Sequence, residues 1–259
     1  MKNKGGQQFM SDVILKKARK IYQMYQNGDL GDTTLPEDSN PHLDPSTNEN
    51  ALFFTLPMAL NYQRNSYTLW KSALKTYEDP ETSFVFIPAK VITAGYKSVQ
   101  KALTKYRLAL QKNKQTDIWL KLCQTFTELS DGSVIKFANN LDNDVNKIRH
   151  FMQKDAKKKF PYLSGNKLCN YWLYVLSKCT AIPLKNTNNI YIAADRHVIR
   201  ASYKLGLITK EQMESAKVQT YVISAWAKEL QGTEFVPTDL QNPLWLWSRN
   251  DFKDLDSYN

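Results

Sequence analysis

FPYLSGNK, residues 160–167, separates two helical patterns and decides how the fold is interpreted. Before it lies a lysine-rich helical pattern, which Pro161 ends because its ring cannot continue a helix. After it, apolar residues recur at intervals of three and four, which predicts a second helix that begins near Asn166. Gly165 is predicted to adopt a positive φ in a tight turn, since it has no Cβ. Residues 142–180 are therefore predicted to form a helical hairpin.

The hairpin contains candidate contacts to a phosphate group. Gly165 and Asn166 stand at the predicted start of a helix, where backbone N–H groups and the positive end of the helix dipole suit a phosphate and read no sequence. Lys157 and Lys158 place positive charge just before the turn. A purely structural hairpin with a solvated lysine face is the alternative.

A second informative segment is centred on Asp195. The apolar run 190–194 leads into Asp195, which is placed to cap a helix over residues 195–206. At an N-cap, the carboxylate accepts backbone N–H bonds and is held in one orientation. Arg196 follows directly and is a candidate contact to a DNA backbone. A cap with no further role is the alternative for Asp195.

The rest of the chain is predicted to be helical as well, which makes the fold class all-α. Residues 1–50 are interpreted as an N-terminal helix and a flexible linker, and residues 51–259 as one helical domain. Asp142 is predicted to cap the first hairpin helix. The predicted helices cover Ser11–Gln26, Leu56–Tyr77, Pro88–Gln111, Asp117–Leu129, Asn143–Lys159 and Thr209–Gln231.

Composition narrows the function classes. The chain has 259 residues and a formal net charge of +10, which favours an anionic partner such as nucleic acid. Its three cysteines have no CxxC spacing, so a zinc knuckle, a four-cysteine iron–sulfur cluster and a disulfide framework are not expected. No metal or other cofactor is expected. The polar start, residues 1–8, contains no secretory core, and no stretch is long enough for a membrane helix. We therefore expect a soluble intracellular protein of the cytoplasm or nucleoid.

Two segments together resemble a known superfamily. LSGNK (163–167), an apolar helix and then ADRHV (194–198) are similar to the helix–hairpin–helix DNA glycosylases, which include endonuclease III, the 8-oxoguanine glycosylases and the archaeal GO glycosylases. LNYQRN (60–65) is similar, more loosely, to an early helical segment of that superfamily. The resemblance implies a two-lobed all-α fold with the active cleft between the lobes. It also implies that Lys167 is the nucleophile and Asp195 the catalytic carboxylate, with His197 as the histidine two residues later. His197 could contact a DNA phosphate, hydrogen-bond the protein backbone or orient Asp195.

The implied activity is base-excision repair of double-stranded DNA that contains a damaged base. The enzyme would flip the damaged base out of the duplex, and a carboxylate would stabilise the positive charge on the sugar. A lysine amine that attacks C1′ would add AP-lyase activity by β-elimination. The expected lesion is an oxidised purine such as 8-oxoguanine, and the expected state is a monomer.

The aromatic tail and one glutamine are candidates for the base pocket. Trp245 or Trp247 could stack on the flipped base, or both could anchor the tail in the core. Gln63 could read a base edge, or act as a wedge or surface residue. Three other functions stay open: a monofunctional alkyl-base glycosylase, a non-catalytic helix–hairpin–helix DNA-binding protein, and a basic helical protein that binds RNA or a protein partner.

Overall fold

The computed structural model describes residues 4–255, and their side chains from residue 12 onward. Within that range the chain forms helices and turns and no named strand; one isolated bridge joins Asp144 and Lys185. The all-α prediction is confirmed. None of the described helices combines the length and apolar character needed to cross a membrane. Residues 1–3, at the start of the segment predicted to lack a secretory core, lie outside the described residues.

The chain divides into two compact units. The central unit is Thr34–Thr187, and the terminal unit joins Met1–Thr33 to Asn188–Asn259. The helices of the central unit are α2 (Asn48–Thr55), α3 (Ser66–Glu78), α4 (Pro88–Ala94), α5 (Tyr96–Lys105), α6 (Lys112–Ser130), α7 (Val134–Asn139), α8 (Val145–His150) and α9 (Asn166–Cys179). Those of the terminal unit are α1 (Lys4–Gln26), α10 (Arg196–Lys204), α11 (Lys210–Glu214), α12 (Val218–Glu229) and α13 (Gln241–Arg249).

An aromatic cluster forms the core of the central unit. The rings of Phe53 and Phe86 stack at 5.5 Å, and Trp119 meets Phe86 edge-on at 5.5 Å. The indole nitrogen of Trp119 donates to the carbonyl of Val85 at 2.8 Å. These side chains are fully buried, so burial of their apolar surface and ring packing stabilise this unit together.

The terminal unit has its own apolar core. Its buried side chains come from α1, α10, α12 and α13 and from the segments between them. Trp226 is fully buried, and its indole nitrogen donates to the hydroxyl of Ser202 at 2.9 Å. Helix α10, which begins directly after Asp195, is therefore held in place by a packed core.

Two predicted helices are interrupted in the central unit. The prediction of one helix over Leu56–Tyr77 is wrong, because a 3₁₀ turn at Pro57–Leu60 leads into a loop before α3 starts. Asn65 caps α3 by accepting the N–H of Thr68 at 3.1 Å, which competes with a continuous helix. Pro88–Gln111 is also not continuous, since Gly95 has a φ of 79° and separates α4 from α5.

The helix predicted over Asn143–Lys159 is shorter than expected. Asp144, not Asp142, caps α8, and Asp142 has a positive φ of 57°. A π-helical turn and a 3₁₀ turn replace the second half of the predicted helix. Similarly, the capping box of Thr209 is confirmed, but the chain breaks after α11 and restarts at α12.

Residues 34–50 belong to the central unit. Glu37 is buried, and its carboxylate accepts a 2.6 Å hydrogen bond from the hydroxyl of Tyr171 on α9. Burial raises the pKa of Glu37, and the bond from Tyr171 offsets part of that effect. The N–H of Ala181 donates to the carbonyl of Pro45 at 2.8 Å. This polar segment is thus held at one point against α9 and at a second against the chain just after α9.

Candidate active site and nucleic-acid contacts

Asp195 caps helix α10, as the sequence predicts. Its Oδ1 accepts the backbone N–H groups of His197 and Val198, each at 2.9 Å. Ile190 and residues 192–194 before it are buried, whereas Tyr191 is exposed and Asp195 itself is half-buried. Asp195 therefore follows a segment that is packed in the core, and its carboxylate still has access to solvent.

Trp245 on α13 reaches the same carboxylate. Its indole Nε1 donates to Oδ2 of Asp195 at 3.0 Å. Both oxygens of Asp195 are thus engaged by N–H donors, which hold the carboxylate in one orientation. The Trp245 ring is half-buried, and the guanidinium of Arg249 lies 5.6 Å from its centre. An aromatic surface and a fixed negative charge therefore meet at one place.

His197 completes this cluster. Its ring packs edge-on against Trp245 at 5.3 Å, and its Nδ1 lies 3.5 Å from the hydroxyl of Ser248. Burial lowers the pKa of His197 below the ordinary value of histidine. Asp195 opposes this shift, whereas the guanidinium groups of Arg196, Arg200 and Arg249 reinforce it. A neutral imidazole at neutral pH follows from these surroundings.

Trp247 occupies a different environment from Trp245. It is 3% exposed, and its indole nitrogen donates to the carbonyl of Lys253 at 2.8 Å. Its ring meets Phe252 edge-on at 4.9 Å. These contacts are those of a tail anchor, so Trp245 is the tryptophan that the structure brings to Asp195.

The hairpin turn differs from its prediction. Gly165 has a φ of −68° and acts as the N-cap of α9; the left-handed residue is Tyr162, with a φ of 60°. The prediction of a positive φ at Gly165 is therefore wrong. Glycine still has a steric role there, since a Cβ would lie 3.2 Å from the carbonyl oxygen of Tyr162. A Cβ at this position would require the Tyr162 carbonyl to shift by a few tenths of an ångström.

Lys167 is the second residue of α9 and is half-buried. Asn166 precedes it, and its side-chain oxygen accepts a 3.2 Å bond from Gln153. Lys157 and Lys158 are exposed on the 3₁₀ turn before the hairpin, whereas the neighbouring Lys159 pairs with Glu128 at 2.8 Å. The hairpin thus collects the predicted lysines, Gly165 and Asn166 within the central unit.

Gln63 lies in the central unit, whereas Asp195, His197 and Trp245 belong to the terminal unit. Gln63 is exposed, has a φ of 50°, and lines a cleft with the neighbouring Tyr62 and with Tyr162 of the hairpin. Neither tyrosine is predicted from the sequence as a site residue. Nothing local marks them, because they meet only when two loops about a hundred residues apart come together.

The comparisons with known proteins add no relative. No protein-family model matches the chain, and no curated protein matches it significantly. Among the residues whose side chains are described, no group of histidine, cysteine, aspartate or glutamate could hold a metal ion. The residues themselves therefore carry the functional argument.

Proposed function

We propose that the protein is a DNA glycosylase of base-excision repair with AP-lyase activity. The observation that carries the proposal is the Asp195 carboxylate, held by two backbone N–H groups and by the indole of Trp245. A preoriented carboxylate next to an aromatic face suits a reaction that develops positive charge on a sugar while a planar base departs.

Each group has one role in the proposed reaction. The C1′–N bond breaks, its electron pair leaves with the base, and Asp195 stabilises the positive charge that remains on the sugar. The neutral amine of Lys167 attacks C1′ and, after ring opening and loss of a proton, forms a Schiff base. Loss of the proton at C2′ then expels the 3′ phosphate, which is the β-elimination of an AP lyase. Trp245 stacks on the flipped base.

The DNA contacts are assigned by charge and position. Asn166 offers its backbone N–H at the start of α9, a helix of 14 residues, whereas the N–H of Gly165 already donates to the carbonyl of Tyr162 at 3.0 Å, so Gly165 would act by letting the phosphate approach closely. Lys157, Lys158 and Arg196 are exposed cations that suit phosphate oxygens. His197 would contact the DNA backbone as a neutral hydrogen-bonding group. These contacts would position the duplex without reading its sequence.

The resemblance supplies the finer parts of the proposal. They are the two-lobed helical glycosylase architecture, double-stranded DNA with an oxidised purine such as 8-oxoguanine as the substrate, and a monomeric enzyme. A net charge of +10 supports an anionic partner of this kind.

Release of the damaged base tests the proposal. Asp195→Asn keeps an N-cap, because asparagine also caps helices well, but it removes the negative charge. We expect base release from an 8-oxoguanine duplex to fall by about 10²-fold or more. Asp144→Asn is the matched control, since Asp144 caps α8 by the same type of bonds. Equal base release by Asp195→Asn and Asp144→Asn would reject the catalytic role of Asp195.

A further inference from the structure

A cleft of about 130 Å³ lies wholly within the central unit, and Tyr162 of the hairpin turn is one of its lining residues. We call it the tyrosine cleft. Six of its lining residues matter for what it could bind: Tyr62, Gln63, Arg64, Leu110, Lys114 and Tyr162. None of the catalytic groups proposed above lines it, so it needs a separate explanation.

Two tyrosines form one wall of the cleft. The rings of Tyr62 and Tyr162 lie 5.1 Å apart at an angle of 52°. Tyr62 is 49% exposed although it is a large aromatic residue, and the Nζ of Lys114 lies 5.1 Å from the centre of the Tyr162 ring. The wall thus offers aromatic surface to solvent next to a positive charge.

The loops that carry this wall are held in fixed positions. Gln63 and Tyr162 both have a left-handed backbone conformation, with φ of 50° and 60°, which residues other than glycine rarely adopt. Arg64 donates to the carbonyl of Leu108 at 2.7 Å, and the Gln115 side chain accepts the N–H of Gln111 at 3.1 Å. Unusual backbone conformations that the surrounding structure fixes are typical of binding sites.

The cleft selects a class of ligand by size and charge. Pockets for drug-sized ligands enclose roughly 300–1,000 Å³, so this cleft has room for about one ring system. No acidic side chain is among its lining residues, and Leu110, 49% exposed, adds an apolar edge. Aromatic faces with nearby cations are the means by which proteins hold single bases of nucleic acid.

We propose that the tyrosine cleft binds one unpaired nucleobase of a DNA strand by stacking. The choice of DNA rests on the proposed function. Tyr162 lies three residues before Gly165, so the hairpin would hold a base through its tyrosine as well as a phosphate through its backbone. The cleft would then recognise unpaired bases whatever the chemistry of the lesion.

The test uses an undamaged duplex with 2-aminopurine in a one-base bulge, and the full-length protein. Stacking of the probe on tyrosine should quench its fluorescence. Tyr62→Ala should abolish the quenching and weaken binding of the bulged duplex by roughly 5- to 150-fold, with no change for a fully paired duplex. Tyr62→Trp should restore both signals. Tyr221→Ala is the matched control, since Tyr221 on α12 is 38% exposed and does not line the cleft.

The outcomes separate this proposal from the proposed function. The cleft proposal is overturned if Tyr62→Ala binds the bulged duplex as tightly as the wild type does, or if it weakens binding of the bulged and paired duplexes equally. This holds even if base release is intact. Selective loss in Tyr62→Ala with rescue by tryptophan supports it even if no damaged base is ever released. Lys114→Gln provides a second variant that leaves the tyrosines in place, and it should weaken binding of the bulged duplex selectively.

Discussion

The indole nitrogen of Trp245 donates a 3.0 Å hydrogen bond to the carboxylate of Asp195, which lies 50 residues earlier in the chain. Trp247, two residues later, donates instead to the backbone carbonyl of Lys253. Both tryptophans lie on α13 and each makes one indole hydrogen bond, but only one of these bonds reaches the candidate catalytic group. The pair therefore allows structural and functional contributions to be separated.

Trp245→Phe should slow base release, whereas Trp247→Phe should not. The substitution keeps an aromatic ring but removes a hydrogen bond to a charged group, which contributes about 1.5–3 kcal/mol. A loss of this size in the transition state corresponds to roughly 10- to 100-fold slower base release. Trp247→Phe should lower the melting temperature without slowing base release. Single-turnover kinetics and thermal unfolding of both variants check this, and equal slowing in both would contradict it.

The Asp195 cap was predictable because a capping residue and its helix are adjacent in sequence. The Trp245 contact was not, since it depends on how α13 packs against α10 in the core of the terminal unit. The hairpin shows the same limit. The sequence indicated where α9 begins, but the left-handed residue is Tyr162, whereas Gly165 has an ordinary negative φ and lies close to the Tyr162 carbonyl.

His197 should make stability depend on pH. Burial lowers its pKa in the folded protein, so between that value and the ordinary value of about 6.5 the unfolded chain binds more protons than the folded one. The stabilising contribution is therefore complete above about pH 6.5 and is lost as the pH falls through the folded pKa. His197→Asn should flatten this part of the profile of melting temperature against pH.

The control for this prediction is His42→Asn. His42 lies in the central unit, outside the Asp195 cluster, so this variant makes the same substitution away from the proposed site. A histidine resonance that titrates at or above the ordinary value in wild-type protein, and disappears in His197→Asn, would contradict the assignment.

The lysines before the hairpin should differ in their effect on DNA binding. Each phosphate contact contributes about 0.9 to the slope of log affinity against log salt on duplex DNA. Lys157→Gln and Lys158→Gln should each reduce this slope by about that amount, because both side chains are exposed. Lys159→Gln should reduce it less, since Glu128 already pairs with Lys159. Salt titrations of duplex binding by the three variants measure these slopes. Equal slopes for all three variants would contradict the prediction.

The tyrosine cleft shows what sequence reasoning could not reach. Gln63 was a candidate, yet its surroundings were unknown, because the predicted continuous helix over Leu56–Tyr77 would have put it on a regular helical face. The 3₁₀ turn and the Asn65 cap instead create a loop that carries Tyr62 to the hairpin. Tertiary contacts over about a hundred residues assembled this site, and no local pattern encodes them.

Borohydride trapping on an 8-oxoguanine duplex tests the central claim most directly, because it captures the Schiff base between enzyme and sugar. The wild-type protein should form a covalent adduct with DNA, and Lys167→Gln should form none. Lys178→Gln, an exposed lysine on the same helix α9, should trap as the wild type does. An adduct that persists in Lys167→Gln would contradict the account, because another amine would then be the nucleophile.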